Sequence, residues 1–351
     1  MLNRLQGYFQ LEKYTEKQVF HEKLTQDQAQ SFLCNALQEH FRQYNGWDTS
    51  REYQIRISAK GRVLCSRKAI PNQAPRAVQS HNRKKRYLLE EGMVIQPLVD
   101  LGIFTKEGKV IHAMYDKYKQ INRFLEMVDD VSDNLPRQRP LRVIDFGCGK
   151  SYLTFILYYY LTVIKKREVQ MVGLDLKADV IEKCNQTARK YGYDSLHFEL
   201  GDINGYQLAG EVDLVITLHA CDTATDYALF NAVSWGARVI LSVPCCQHEL
   251  NGQIQSEQFS ILTRYGIVKE RAASLMTDAI RANLLECCGY KTQLLEFIDL
   301  AHTPKNILIR AVKRAPSQRA PAGVLEETES LMEEFLLHPT LYRLLKEAGR
   351  I

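Results

Sequence analysis

The residues best suited to chemistry in this chain lie between Val143 and Leu153, VIDFGCGKSYL, and at two acids further on, Asp175 and Asp202. An apolar run ends at Asp145 and is followed by Gly147-Cys148-Gly149 and then a stretch of helical character. That is the pattern of a strand, a tight glycine turn and a helix, the entry to a nucleotide-type site at the carboxyl edge of a parallel sheet. Glycine in the turn lets the backbone approach a ligand that a side chain would hold off. A dinucleotide site wants a third glycine three residues after Gly149, where this chain has Tyr152. Asp145 would repel a phosphate, and suits a ligand bearing an ammonium group. A second apolar run, Val169 to Leu174, ends at Asp175, placed to accept two hydrogen bonds from a ribose. A third, Leu196 to Leu200, leads to Gly201-Asp202-Ile203, where a carboxylate takes the exocyclic amine of adenine and an isoleucine covers its ring.

On these residues the segment from about Ile111 to Arg314 resembles a class I S-adenosylmethionine-dependent methyltransferase. The Asp/Glu-x-Gly-x-Gly-x-Gly motif of that family is met at Asp145, Gly147 and Gly149 and departs at Ser151. The resemblance implies S-adenosylmethionine as cofactor. Asp145, Gly147 and Gly149 would hold its methionine end, Asp175 its ribose, and Asp202 with Ile203 its adenine, with Leu218 also against it. It further implies an α/β fold with a Rossmann-like seven-stranded sheet, closed by an antiparallel hairpin at Thr292 to Ile298 and Asn306 to Ala311.

In such a sheet the acceptor side faces the carboxyl ends of the fourth and fifth strands. The fourth apolar run opens into His219-Ala220-Cys221-Asp222-Thr223-Ala224-Thr225-Asp226, and the fifth into Pro244-Cys245-Cys246-Gln247-His248. Four readings compete. In a structural one, Asp222 caps the helix from Thr223, His219 is a hydrogen-bonded core residue and the cysteines fill tight space. In the second, His219 or a lysine such as Lys305 takes the proton of a weakly acidic acceptor, because methyl transfer mainly requires positioning and deprotonation. The Asn/Asp-Pro-Pro-Tyr/Phe motif of exocyclic-amine methylases is lacking. In the third, Cys245 or Cys246, with its pKa lowered by His248, attacks a pyrimidine. The fourth is a metal site from His219, Cys221, Cys246 and His248, against which the absence of Cys-x-x-Cys spacing argues, so no metal is expected. HACDTATD and PCCQH are also similar to the signature of tRNA ribose-2′-O-methyltransferases, matching at His219, Cys221, Thr225, Asp226, Cys245 and Cys246 and departing at Asp222 and Gln247. The better overall match is a methyltransferase-domain family that shares both motifs and the segment HTPKN, His302 to Asn306. These resemblances imply His219, Cys245 and Cys246 as the lining of the transfer site.

Several elements must position these groups. Thr25 to Tyr44 has helical apolar spacing at Phe32, Leu33, Leu37 and Phe41, and the first fifty residues read as helices. Tyr53 to Ser58 and Arg62 to Arg67 alternate around Ala59-Lys60-Gly61, a hairpin signal. SHNRKKRYLLEEG, from Ser80, starts a basic helix, and the N-terminal α+β module ends near residue 110. The helix within Ile111 to Val128 precedes the first sheet strand. Strands are expected at about 143–146, 169–174, 196–200, 212–218, 238–243, 292–298 and 306–311, and residues 315–351 form a linker and final helices.

Charge is unevenly spread. From Arg51 to Arg86 there are eleven Lys or Arg against one acid, a net +10, which leaves −5 on the remainder of a chain whose total is +5. That asymmetry points to a polyanionic partner, with Arg56, Lys60, Arg62, Arg83, Lys84, Lys85 and Arg86 as contacts to RNA, either tRNA or rRNA. A protein methyltransferase using the same patch, or a cofactor-binding protein without turnover, are the competing classes. The opening residues have no apolar leader, and Tyr152 to Ile164 is too short to span a bilayer, so no membrane partner is expected. Nine cysteines, including the adjacent pairs Cys245-Cys246 and Cys287-Cys288, make no disulfide framework and suit a reducing cytoplasm. Nothing in the sequence specifies an oligomeric state.

Overall fold

The computed structural model describes every residue except 1, 6, 49, 59, 70–86, 150, 207–209, 219, 298–305, 316 and 319–321. It divides into two compact units, Met1–Arg86 and Tyr87–Ile351.

In the smaller unit, β1 (Leu2–Leu5), β2 (Tyr8–Tyr14) and β3 (Val19–Leu24) form an antiparallel sheet. A helix, Gln26–Glu39, follows. Its start is fixed reciprocally: the Gln28 amide N–H donates to the Thr25 hydroxyl at 3.3 Å and the Thr25 N–H donates to Gln28 Oε1 at 2.9 Å. A second antiparallel sheet holds β4 (Gln43–Trp47), β5 (Arg51–Ile57) and β6 (Val63–Ala69). The hairpin read from the alternation is β5–β6, closed where Ile57 faces Val63. The expectation of helices throughout the first fifty residues is corrected: among the described residues, only Gln26–Glu39 is helical there. Every residue of β3 but the last is exposed, so no inward–outward alternation marks that strand in the sequence.

The larger unit begins earlier than the boundary near residue 110. Leu89, Ile95, Leu98, Ile103 and Phe104 are buried in its core. The Leu89 N–H donates to Asn122 Oδ1 at 2.9 Å, and the Leu89 carbonyl accepts the Tyr118 hydroxyl at 2.5 Å, tying this segment to the helix Tyr115–Asp129. Residues 87–92 form bends and turns rather than the basic helix expected from Ser80, whose first residues lie outside those described.

Seven strands build the central sheet: β7 (Leu141–Phe146), β8 (Val169–Asp175), β9 (Leu196–Leu200), β10 (Leu214–Thr217), β11 (Val239–Ser242), β12 (Tyr290–Glu296) and β13 (Ile307–Lys313). Their order is β12-β13-β11-β10-β7-β8-β9. Neighbours from β11 to β9 pair in parallel, whereas β13 runs antiparallel to both β11 and β12. Parallel strands covered on both faces read as continuous apolar runs, which is why β10 and β11 are buried at every position. Along β7 the side chains alternate between two cores, Val143 joining one and Ile144 the other. The first core is covered by Tyr115–Asp129 and Tyr152–Tyr159; the second contains Ala273, Ile280 and Leu284 of the long helix Gly266–Cys287. The final helices, Val324–Glu334 and Thr340–Glu347, bury Met332, Leu341 and Leu345 in that second core. This is the Rossmann-like seven-stranded α/β architecture expected from the sequence, with reversal of the sheet order between β7 and β10. Among the described residues no helix is long and apolar enough to cross a membrane.

Candidate functional site

Strand β7 ends in a turn held in unusual backbone geometry: Gly147, Gly149 and Ser151 have φ of 65°, 53° and 58°. Glycine makes the first two inexpensive, and the third is a left-handed serine at the N-terminus of the helix Tyr152–Tyr159. The turn is tied to β8, where the Leu174 carbonyl accepts the Cys148 N–H at 3.0 Å. Asp175 completes the link, accepting the Gly149 N–H at 2.9 Å and the Lys177 N–H at 3.1 Å. A carboxylate has about four acceptor positions, so roughly two remain for ligand hydroxyls. Beneath the turn, Gly173 is required by packing: a Cβ there would stand 2.5 Å from the Phe198 ring and 3.3 Å from Cys148 Sγ.

Asp145 is buried, with 5% of its surface exposed. The Thr154 hydroxyl donates to its Oδ2 at 2.5 Å. Burial pushes its carboxyl up to about 7, with Thr154 opposing and the charge of Asp175 reinforcing the shift. It faces a cavity of about 360 Å³ whose lining includes Lys117, Gly149, Tyr152, Thr154 and Leu218. Lys117 holds its ammonium 4.3 Å from the centroid of the Tyr152 ring. A buried acid and a cation thus share one cavity at the carboxyl end of β7. Lys117 carried no signal in the sequence, being one of several charges on an amphipathic helix.

Gly147, Asp175, Asp202 and Ile203 do not line that cavity. Asp202 is exposed, its Oδ1 accepting the Asn204 N–H at 2.9 Å. Ile203 is half-buried against the second core, and its carbonyl accepts Asn231 Nδ2 at 2.7 Å. Both follow β9, as the sequence order requires.

The loops after β10 and β11 meet. Cys221 Sγ lies 3.0 Å from Cys245 Sγ, which lies 3.7 Å from Cys246 Sγ. His219 and Lys305 lie outside the described residues. Asp222 does not cap the helix Thr223–Ser234 through its side chain; its Oδ1 instead accepts the Glu249 N–H at 3.1 Å, joining the two loops. Burial and the flanking thiols push the Cys245 thiol up, the reverse of what an activated nucleophile needs.

A buried ion network fixes these loops, centred on a residue that nothing in the sequence singles out. Arg281, on the helix Gly266–Cys287, is 2% exposed. It donates to both oxygens of Asp226 at 3.0 and 2.8 Å, to Asp278 at 3.4 Å and to the Asp222 carbonyl at 2.9 Å. Gln247 Nε2 donates to Asp278 at 3.3 Å, and the Thr225 hydroxyl to the Ala220 carbonyl at 2.6 Å. Motif residues Thr225, Asp226 and Gln247 therefore act on loop geometry.

In the smaller unit Arg56, Lys60 and Arg62 are exposed. Strand register puts Arg56, Lys68 and Trp47 on one face of the β4–β6 sheet, Arg56 opposite Gln43 and Leu64, and Glu52 opposite both Trp47 and Lys68. Trp47 is 57% exposed. Arg83, Lys84, Lys85 and Arg86 lie outside the described residues.

Residues 116–253 match a family model described as a methyltransferase domain. That segment, which contains the glycine turn, Asp175, Asp202 and both cysteine loops, is a methyltransferase domain. No curated protein matches the chain in sequence. Solved structures similar to it include a coclaurine N-methyltransferase bound to N-methylheliamine and SAH, at 15% identity over 34% of this chain and 35% of that one, TM-score 0.26. Another is the 23S rRNA methyltransferase ErmE, at 12% identity over 58% of this chain and 74% of that one, TM-score 0.35. A third is the magnesium protoporphyrin IX methyltransferase ChlM from Synechocystis PCC 6803 with bound SAH, at 18% identity over 59% and 89%, TM-score 0.33. The chain spans about a third of the length of the first of these.

Proposed function

We propose that the larger unit binds S-adenosylmethionine at the carboxyl ends of β7 to β10 and transfers its methyl group to RNA, either tRNA or rRNA. The observation that carries the cofactor reading is the buried Asp145 in a cavity shared with Lys117. An amino-acid end with an ammonium and a carboxylate matches that pair of opposite charges, Asp145 taking the first and Lys117 the second. Gly147 and Gly149 give the ligand access to the backbone of the turn, and Leu218 provides apolar contact. Asp175 accepts from the ribose hydroxyls, Asp202 from the adenine amine, and Ile203 packs on the adenine ring. The cofactor supplies an electrophilic methyl on a sulfonium, so the protein's task is to align an acceptor and take up its proton. His219, Cys245 and Cys246 line the acceptor side in this reading. The upward shift at Cys245 speaks for lining rather than covalent attack.

The exposed cationic face of the β4–β6 sheet favours RNA over a neutral acceptor. Arg56 and Lys68 neutralise phosphates there, and Trp47 offers a stacking surface. A reducing cytoplasm suits the nine cysteines, none of which is joined in a disulfide.

The test supplies the full chain with methyl-labelled S-adenosylmethionine and cell extract, alongside calorimetry with the same cofactor. Cofactor uptake together with label in RNase-sensitive material is the expected result. Label only in protease-sensitive material would replace RNA by protein as substrate, and uptake without labelled product would leave a binding protein. No uptake at all would overturn the reading.

A further inference from the structure

We infer that Cys221, Cys245 and Cys246 form a binding site for a soft divalent cation of the Zn²⁺ class, a site that the spacing of these residues in sequence argued against. Their three sulfurs lie within 4.8 Å of one another. A tetrahedral ion bound at about 2.3 Å by sulfur sets its sulfurs about 3.8 Å apart. Cys245 and Cys246, at 3.7 Å, already have that spacing, and the Cys221–Cys245 pair, at 3.0 Å, must open by about 0.8 Å to reach it. Thiolate is the ligand soft cations prefer.

The ligands are also held from behind, as a metal site requires. Cys221 is flanked by Ala220, whose carbonyl accepts the Thr225 hydroxyl, and by Asp222, whose carbonyl accepts Arg281. Next to Cys246, Gln247 donates to Asp278 on the same helix that carries Arg281. Two loops from neighbouring strands are thereby anchored to one helix, with three sulfurs between them. Three protein ligands leave a fourth position for water or an acceptor group, the arrangement of an exchangeable site rather than a closed four-ligand one. Binding balances as M²⁺ taking three thiols to three thiolates, with three protons released to solvent.

The proposal does not depend on methyl transfer and is tested without it. The full chain, reduced and stripped of metal, is titrated with Cd²⁺ while the thiolate-to-metal absorbance is followed, and with Zn²⁺ against a chromophoric chelator. One ion per chain is expected, with three thiols lost to Ellman's reagent on Zn²⁺ binding. Cys221→Ser and Cys245→Ser should each weaken binding by at least about tenfold, since disturbing even an outer partner costs roughly 10–100-fold. Cys34→Ser and Cys65→Ser, in the smaller unit, should leave it unchanged. If a serine variant fails to fold, the thiol count on the unaltered chain still decides. No one-to-one uptake, an unchanged thiol count, affinity indifferent to Cys221→Ser, or a Cys221–Cys245 disulfide in the reduced preparation would each overturn the assignment.

Discussion

At the scale of single residues, Asp145 governs how the cleft responds to pH. Its carboxyl is raised to about 7, so the folded protein holds that proton more tightly than the unfolded chain does. The stability it contributes is complete below the usual aspartate range near pH 4 and is lost as the pH rises through about 7. A ligand ammonium favours the charged form, so S-adenosylmethionine affinity should fall as the pH drops below about 7, by at most about tenfold per pH unit. Calorimetry at about pH 6 and about pH 8 checks this. Asp145→Asn should bind weakly and without the dependence. Asp175→Ala should cost about 1–3 kcal/mol of cofactor binding, read by the same titration. Gly173→Ala forces Phe198 and the Cys148 turn to move, and urea unfolding should show a loss of about 1–3 kcal/mol. The strand, glycine turn and helix around Asp145, Gly147 and Gly149 were legible because these parts are contiguous in the chain. Lys117 and Arg281 were not, because each meets its partners only through the tertiary fold. The meeting of the cysteine loops was legible once β10 and β11 were read as neighbouring parallel strands, although 24 residues separate Cys221 from Cys245; the sulfur spacing within the cluster was not.

At the scale of elements, the helix Gly266–Cys287 is more than a cover for the sheet. Through Arg281 it orders the loops after β10 and β11. Arg281→Met leaves Asp226 and Asp278 buried without their cation and should cost about 3–5 kcal/mol, measured by denaturant unfolding. Strands β7, β10 and β11 could be read from the sequence because they are buried at nearly every position and their apolar runs are bounded by glycine and acids, whereas β12, exposed along much of its length, was placed through the family resemblance. The strands of the smaller unit's first sheet could not be read. β3 is exposed almost throughout, and β2 is buried only at Gln10 and Leu11, so burial leaves little trace in their sequence.

At the scale of the whole molecule, charge is divided along the chain. A net +10 sits within Arg51 to Arg86 and −5 on the rest, so if the proposed RNA substrate holds, salt-dependent binding should concentrate on that segment. Arg56→Ala with Lys68→Ala should leave cofactor affinity intact and weaken RNA binding. The slope of log affinity against log salt should become shallower by about 0.7–0.9 for each phosphate that these side chains no longer neutralise. A filter-binding series across salt concentrations measures both.

The antiparallel strand β13 lies between β11 and β12, yet it is made about 70 residues after β11. During synthesis at about 5–20 residues per second, the apolar edge Val239–Ser242 therefore waits roughly 4–14 s on the ribosome for its neighbour. An unpaired edge of that kind invites nascent chains to pair with one another. A polypeptide stopped before residue 306 lacks β13 and the two final helices and should collect in inclusion bodies, and co-expressing residues 306–351 as a separate peptide should return part of it to the supernatant.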